Sequence, residues 1–154
     1  MKKLFIFFTL FHSFSLFADF VDIKADHFYA NDINKIAYFE GNAKVTQGEN
    51  VFDAEKIKVF FNDQKKATKY EASGSVKFDL IEKGIHYKGE AHMVTYAPNS
   101  SKYYFSGDVL LQDLTNNRTI KAQSVSLDLK TGLADIKGAK KKPVHFRFEI
   151  EDRK

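Results

Sequence analysis

Apolar and polar residues alternate along this chain, and the alternation returns at a fixed interval. Phe39, Gly41, Ala43 and Val45 share one parity. Tyr70, Ala72, Gly74, Val76 and Phe78 repeat the pattern, as do Tyr103, Phe105, Gly107, Val109 and Leu111. Ala134-Asp135-Ile136-Lys137-Gly138-Ala139-Lys140 is a weaker fourth copy, and the four glycines stand 33, 33 and 31 residues apart. Period-two alternation rich in aromatic and β-branched residues predicts half-buried strands. A glycine on the apolar parity of a strand marks a bulge, a bend or a close approach.

A second pattern precedes each glycine copy: Ile23-Lys24-Ala25-Asp26, Phe52-Asp53-Ala54-Glu55, Tyr87-Lys88-Gly89-Glu90 and Ile120-Lys121-Ala122-Gln123. Here the apolar parity switches after the small residue. Phe52 and Ala54 are even, whereas Ile57, Val59 and Phe61 are odd; Ile120 and Ala122 are even, whereas Val125, Leu127 and Leu129 are odd. Such a switch is the trace of a β-bulge, which bends and twists its strand. Each repeat therefore reads as one bent strand, a turn, and a straighter strand carrying the glycine. Asn31-Asp32-Ile33-Asn34, Asn62-Asp63-Gln64-Lys65, Ala97-Pro98-Asn99-Ser100 and Lys130-Thr131-Gly132 supply the turns. The expectation is an all-β, repeat-built fold in which no unit buries its apolar face alone. Pro143 then opens a last strand, in which Val144, Phe146, Phe148 and Ile150 alternate with polar residues.

The first 18 residues stand outside the pattern. Lys2 and Lys3 precede a mainly apolar run from Leu4 to Phe17, and Ala18 precedes Asp19. This is the layout of a secretory signal peptide with Ala18 as the last residue removed. The other reading is an uncleaved anchor, but the run is shorter than the roughly 20 residues a spanning helix needs. Residues 19–154 then form a single domain, expected to be soluble and exported. The chain has no cysteine, so its stability rests on apolar burial rather than disulfides. Its formal charge of +4 falls to +2 once Lys2 and Lys3 are gone. With both signs interspersed, this argues against a nucleic-acid-binding protein.

The chain carries no cysteine nucleophile, G-x-S-x-G, H-E-x-x-H or phosphate-binding loop. His86 and His92 fall in one repeat, but a pair without a third ligand does not make a metal site. Asp26, Glu55 and Glu90 recur at one repeat position, which places them on the polar side of a bulge more simply than in a hydrolase. Neither enzyme activity, nor a metal, nor a cofactor is expected.

Two features remain. The apolar face combines large rings (Phe39, Phe52, Phe61, Phe78, Tyr87, Tyr103, Phe105) with a line of small residues at 25, 41, 54, 74, 89, 107, 122 and 138. Small residues opposite large ones are ordinary core packing; equally, they would leave an apolar slot between bent sheets. Periodicity does not choose between the two. The other feature is the pair of terminal strands, with Ile23 and Phe28 at one end and Val144, Phe146, Phe148 and Ile150 at the other. The end units of a stacked series have a neighbour on one side only, so both edges invite strand addition in a head-to-tail homo-oligomer. The alternative is that Val144–Ile150 folds back over its own edge.

Gly41-Asn42-Ala43-Lys44-Val45-Thr46-Gln47-Gly48, the repeated Ala-Asp/Glu pattern and Leu127-Asp128-Leu129-Lys130-Thr131-Gly132 together resemble the OstA-like domain family, over about residues 20–150. The resemblance implies a bent antiparallel β-jellyroll, open along one side, that holds the acyl chains of lipopolysaccharide (lipid A) in an apolar groove. On this basis Phe39, Val45, Phe52, Val59, Phe61, Val76, Phe78, Phe105, Val109, Leu111, Leu127 and Ile136 are expected to line the groove. It also implies edge-to-edge pairing with an LptC-like inner-membrane protein and an LptD-like outer-membrane protein, in a bridge that carries lipopolysaccharide between the membranes. A membrane-anchored partner of the same fold, and a carbohydrate-binding or scaffolding β-domain without lipid, are the competing readings.

Overall fold

The computed structural model describes residues 20–150. The expected leader and its junction at Ala18 and Asp19 lie outside the described residues. Ten strands follow one another: β1 (Val21–Lys24), β2 (His27–Asn31), β3 (Ile36–Gln47), β4 (Asn50–Phe61), β5 (Ala67–Glu82), β6 (Ile85–Ala97), β7 (Lys102–Asp113), β8 (Arg118–Asp128), β9 (Leu133–Lys137) and β10 (His145–Phe148). All pairings are antiparallel and join a single sheet. β1 and β2 lie end to end along β3, interrupted at Ala25-Asp26. β9 and β10 lie end to end along β8, interrupted by residues 138–144. The chain is thus an up-and-down meander of eight tiers, the first and last of them broken.

The break and the glycines mark the same level of every strand. In β3, Gly41 and Asn42 stand opposite the single residue Glu55, because Glu40 pairs with Lys56 and Ala43 with Ala54. Gly74-Ser75 faces His92 in the same way, and Gly107-Asp108 faces Gln123. At each bulge the glycine has φ of 85–86° and its successor φ of 45–48°. Only glycine takes such angles freely, and asparagine, aspartate and serine are among the side chains that follow it there. The extra residue therefore belongs to the glycine strand, not to the strand before it, and the glycine strand is not the straighter of the two. The parity switch in the other strand is real: Ala54 and Ile57 are both buried, three residues apart.

The register also corrects the third repeat. Ala91-His92, rather than Gly89-Glu90, occupies the position of Ala25-Asp26, Ala54-Glu55 and Ala122-Gln123. His92 lies opposite the bulge, and Ala91 is buried as Ala54 is. In the fourth copy Gly138 carries no bulge. The chain leaves the sheet there, turns through a bridge between Ala139 and Lys142, and rejoins β8 as β10.

Aligned bulges bend a sheet along a line. Here they fold the meander into two arms whose apolar faces meet. One arm holds β1, the second half of β3, the first half of β4 and their equivalents; the other holds β2, the first half of β3, the second half of β4 and theirs. Phe52 and Phe78 of the first arm meet Tyr103 and Phe105 of the second, with ring centroids 6.3 Å apart for Phe52–Tyr103 and 4.9 Å for Phe78–Phe105. Val76, Phe105 and Val125 are fully buried between the arms, and Ile57, Val109 and Leu80 nearly so. The first and last tiers do not pair with each other, so the jellyroll-like fold stays open rather than closing into a barrel.

Candidate functional site

The small residues of the apolar face are used by the fold line. A Cβ on Gly41, Gly74 or Gly107 would meet the side chain of Asp26 at 2.7 Å, Glu55 at 2.7 Å or His92 at 2.5 Å. All three of those neighbours are exposed. The glycines thus make room for outward polar residues at the bend, while Ala43, Ala54, Ala72 and Ala91 are buried and let the arms come together inside it. The small line is the crease of the fold, not the wall of a slot.

The space between the arms lies away from the crease, in two places. Near the first tiers is a narrow slit of about 40 Å³, lined by Val21, Val45, Phe52, Ile57, Tyr96 and Tyr103 among others. Near the last tiers is a cavity of about 410 Å³ lined by Tyr87, Leu111, Ile120, Leu127, Ile136 and Phe146 among others. Its lining is contributed by both arms, and Glu82, Lys83, Asp113, Arg118 and Asp128 add polar groups to it.

The expected groove residues divide accordingly. Val45 and Phe52 line the slit; Leu111, Leu127 and Ile136 line the cavity. Val59, Val76, Phe78, Phe105 and Val109 fill the interior between them and face one another, each at most 3 % exposed. Phe39 and Phe61 are half-buried against this core. Ile85, Tyr87, Ile120, Leu129, Leu133 and Phe146 also line the cavity and were not expected to. Their alternation is visible in the sequence, but which end of each strand stands clear of the opposite arm is not.

Polar contacts shape the site. Asp113 is buried at the end of β7 and accepts hydrogen bonds from the backbone N–H of Asn116 (2.9 Å), the Asn116 side-chain amide (2.9 Å) and Arg118 Nε (3.0 Å), with a further bond from Arg118 Nη2. Burial alone would raise its pKa. The Asn116 and Arg118 hydrogen bonds outweigh that and hold the carboxyl below the usual carboxylate range. Tyr103 donates to Glu82 Oε2 at 3.1 Å, and burial, with Glu82 beside it, pushes its hydroxyl far above the ordinary tyrosine value. His86 and His92 do not converge. They are six residues apart on β6, about 20 Å, and each faces its own carboxylate: Asp79 at 2.6 Å and Asp108 at 3.6 Å.

At the sheet edges, Ile23 pairs with Val45, and Phe28 packs tilted against Phe39 with centroids 4.9 Å apart. Phe146 and Phe148 lie in β10, while Val144 and Ile150 flank it, so the expected last strand is shorter than its pattern. β10 covers the first half of β8 as β9 covers the second, so the far edge of the sheet is shared between β9 and β10. Both outer tiers lack a further partner strand among the described residues. Most of the large exposed apolar side chains gather there: Phe20, Val21, Phe28 and Tyr29 at one end, Leu133, Phe146, Phe148 and Ile150 at the other.

Comparison with known proteins agrees with this architecture. In structure, the chain is similar to LptH of Pseudomonas aeruginosa, described as the LptA-homologous periplasmic component of the lipopolysaccharide transport device. The TM-score is 0.71 over 84 % of this chain and 95 % of that one, at 12 % sequence identity, a likeness of fold. No curated protein sequence matches. The family model described as "LptA/(LptD N-terminal domain) LPS transport protein" matches residues 22–133, which spans β1 to the start of β9. The chain therefore belongs to the LptA/LptD N-terminal-domain family of lipopolysaccharide transport proteins.

Proposed function

We propose that this protein is a periplasmic bridge component that carries lipopolysaccharide from the inner to the outer membrane, with the acyl chains between its two arms and the sugars in water. The observation that supports this reading best is the cavity of about 410 Å³, apolar inside and polar at Lys83, Asp113 and Arg118. Each methylene taken from water into such a cavity is worth about 0.8 kcal/mol. A ligand with several acyl chains thus gains tens of kcal/mol from a continuous apolar path on that scale, and passage between like protomers is nearly neutral. Direction must come from outside, because the chain carries no nucleotide-binding loop. The protein reads as a carrier rather than an enzyme, exported by its leader and released after Ala18.

The unpaired outer tiers fit the assembly half of the reading. An LptC-like partner at one edge, an LptD-like partner at the other and further copies between would continue the sheet by strand addition. Contacts between unlike edges do not close on themselves, so they build open filaments. The test is photo-crosslinking in cells from the cavity positions Leu127 and Ile136, compared with the outward-facing neighbours Ser126 and Lys137. Lipopolysaccharide adducts are expected from the first pair only. Equal yields from both pairs, or none from the cavity, would overturn the groove.

A further inference from the structure

Between the slit and the cavity, at the open side of the packed core, a hydrogen-bonded contact joins the two arms. Tyr103 of β7 belongs to one arm and lines the slit; Glu82 of β5 belongs to the other and lines the cavity. The Tyr103 hydroxyl donates to Glu82 Oε2 at 3.1 Å. The side-chain amide of Asn50, which also lines the slit, donates to the same oxygen at 3.2 Å, and its carbonyl accepts from the backbone of Ile81 at 2.8 Å. The Tyr103 ring is packed against Tyr96 at 4.4 Å and Phe105 at 5.8 Å. Next to it, Lys83 Nζ reaches across to the backbone carbonyl of Leu129 at 2.5 Å. Glu82, Lys83 and Asn50 lie at or beside the hairpin ends of their arm, and Tyr103 and Leu129 at those of the other, so these bonds span the side away from the crease.

We infer that Asn50, Glu82 and Tyr103 form a clasp that holds the arms together midway along the open side, and that an acyl chain occupies the slit only when this clasp opens. The inference rests on the lipid-carrier reading above. Its physical ground is size and partner count. At about 40 Å³ the slit holds little more than a water or two, whereas the cavity of about 410 Å³ already has room for apolar chain. Parting the arms at this point requires Tyr103 to give up its one hydrogen bond and its contact with the Phe52 ring of the other arm, 6.3 Å away between centroids. Glu82 regains water as it does so, because it is only half-buried. A buried hydroxyl with a charged acceptor is a stronger tie than a neutral pair and costs more to leave unmade, so it suits a contact that stays shut until an apolar ligand replaces it.

The chain has no cysteine, so a Glu82→Cys/Tyr103→Cys protein has two thiols only and can be bridged by a short bis-maleimide. A photo-crosslinking residue placed at Gln47 reports the slit, and one at Ile136 reports the cavity. Purified lipopolysaccharide is the probe. Without the bridge, adducts are expected from both positions. With it, those from Gln47 should be lost and those from Ile136 kept. In the otherwise natural chain Tyr103→Phe keeps the ring and removes the bond, and should raise the Gln47 yield several-fold, up to about tenfold. Tyr104→Phe, on the outer face, should change neither. Undiminished Gln47 adducts in the bridged protein, or no rise with Tyr103→Phe, overturn the clasp and leave the carrier intact. Adducts from neither position in the unbridged protein overturn the carrier reading, and the clasp falls with it.

Discussion

Phe105 is fully buried where the two arms meet, against Phe78 and Tyr103. Truncation to alanine is expected to cost about 3–5 kcal/mol, read as a fall in the midpoint of urea unfolding. Phe105→Asp would bury an unpaired carboxylate and unfold the domain, so its effect on lipid would report stability rather than contact. Leu127 and Ile136, at the cavity, are the side chains whose replacement separates the two. The bulge glycines offer a paired test. Gly74→Ala and Gly84→Ala both force an alanine to a positive φ, 85° and 80°, but only at Gly74 would the new Cβ meet a neighbour, the Glu55 side chain at 2.7 Å. The turn variant should lose about 1–2 kcal/mol from backbone strain alone, and the bulge variant more. Equal losses in thermal melts would mean that the bulge relaxes without cost.

Among the elements, the β7–β8 hairpin carries the clearest dependence on pH. Asp113 is buried, and its hydrogen bonds to Asn116 and Arg118 hold its carboxyl below its ordinary value. A carboxylate with a depressed folded-state pKa adds stability that is fully present above the unfolded value, about 3.9, and is lost as the pH falls through the lower folded value. The melting temperature should therefore drop below about pH 4, and Asp113→Asn should lower it at pH 7 while flattening that acid limb. An acid limb of the same steepness in both proteins would remove Asp113 as its source. The hairpin also forms one side of the cavity, so the Asn variant should bind lipopolysaccharide less well if Arg118, freed of its partner, no longer holds its place.

At the scale of the molecule, the proposed assembly of copies rests on the two broken outer tiers. Deleting residues 143–154 removes β10 and uncovers Arg118–Lys121 of β8, but leaves β9 on the other half of that edge. If copies couple through β10, the full chain should grow with concentration in light scattering, and the truncated protein should stay folded and not grow. Oligomers of unchanged size would show that β10 is not the coupling edge. The terminal pattern announced both edges, since Phe28, Phe146 and Phe148 alternate as strand residues do. What it did not announce is that the last tier is split, with the excursion from Gly138 to Val144 standing where the other glycine strands have a bulge.

The strands, their turns, the repeat and the existence of a bend were legible in the order of residue types, because strand side chains have a period of two and a parity switch leaves a trace. The resemblance of the short motifs led to the right family for the same reason: those motifs are the bulges and turns that the fold requires. Which strand holds the extra residue was not legible. A bulge is a mismatch between two strands, and a single strand records only its own parity. On that account the pattern puts Gly89-Glu90 at the position that Ala91-His92 occupies. Nor could periodicity separate core from cavity. Phe105 and Leu127 look alike in alternation, yet the first meets the opposite arm and the second faces open space. That difference depends on the distance between arms folded along a line of bulges, a property of the whole sheet, and so only the tertiary structure decides it.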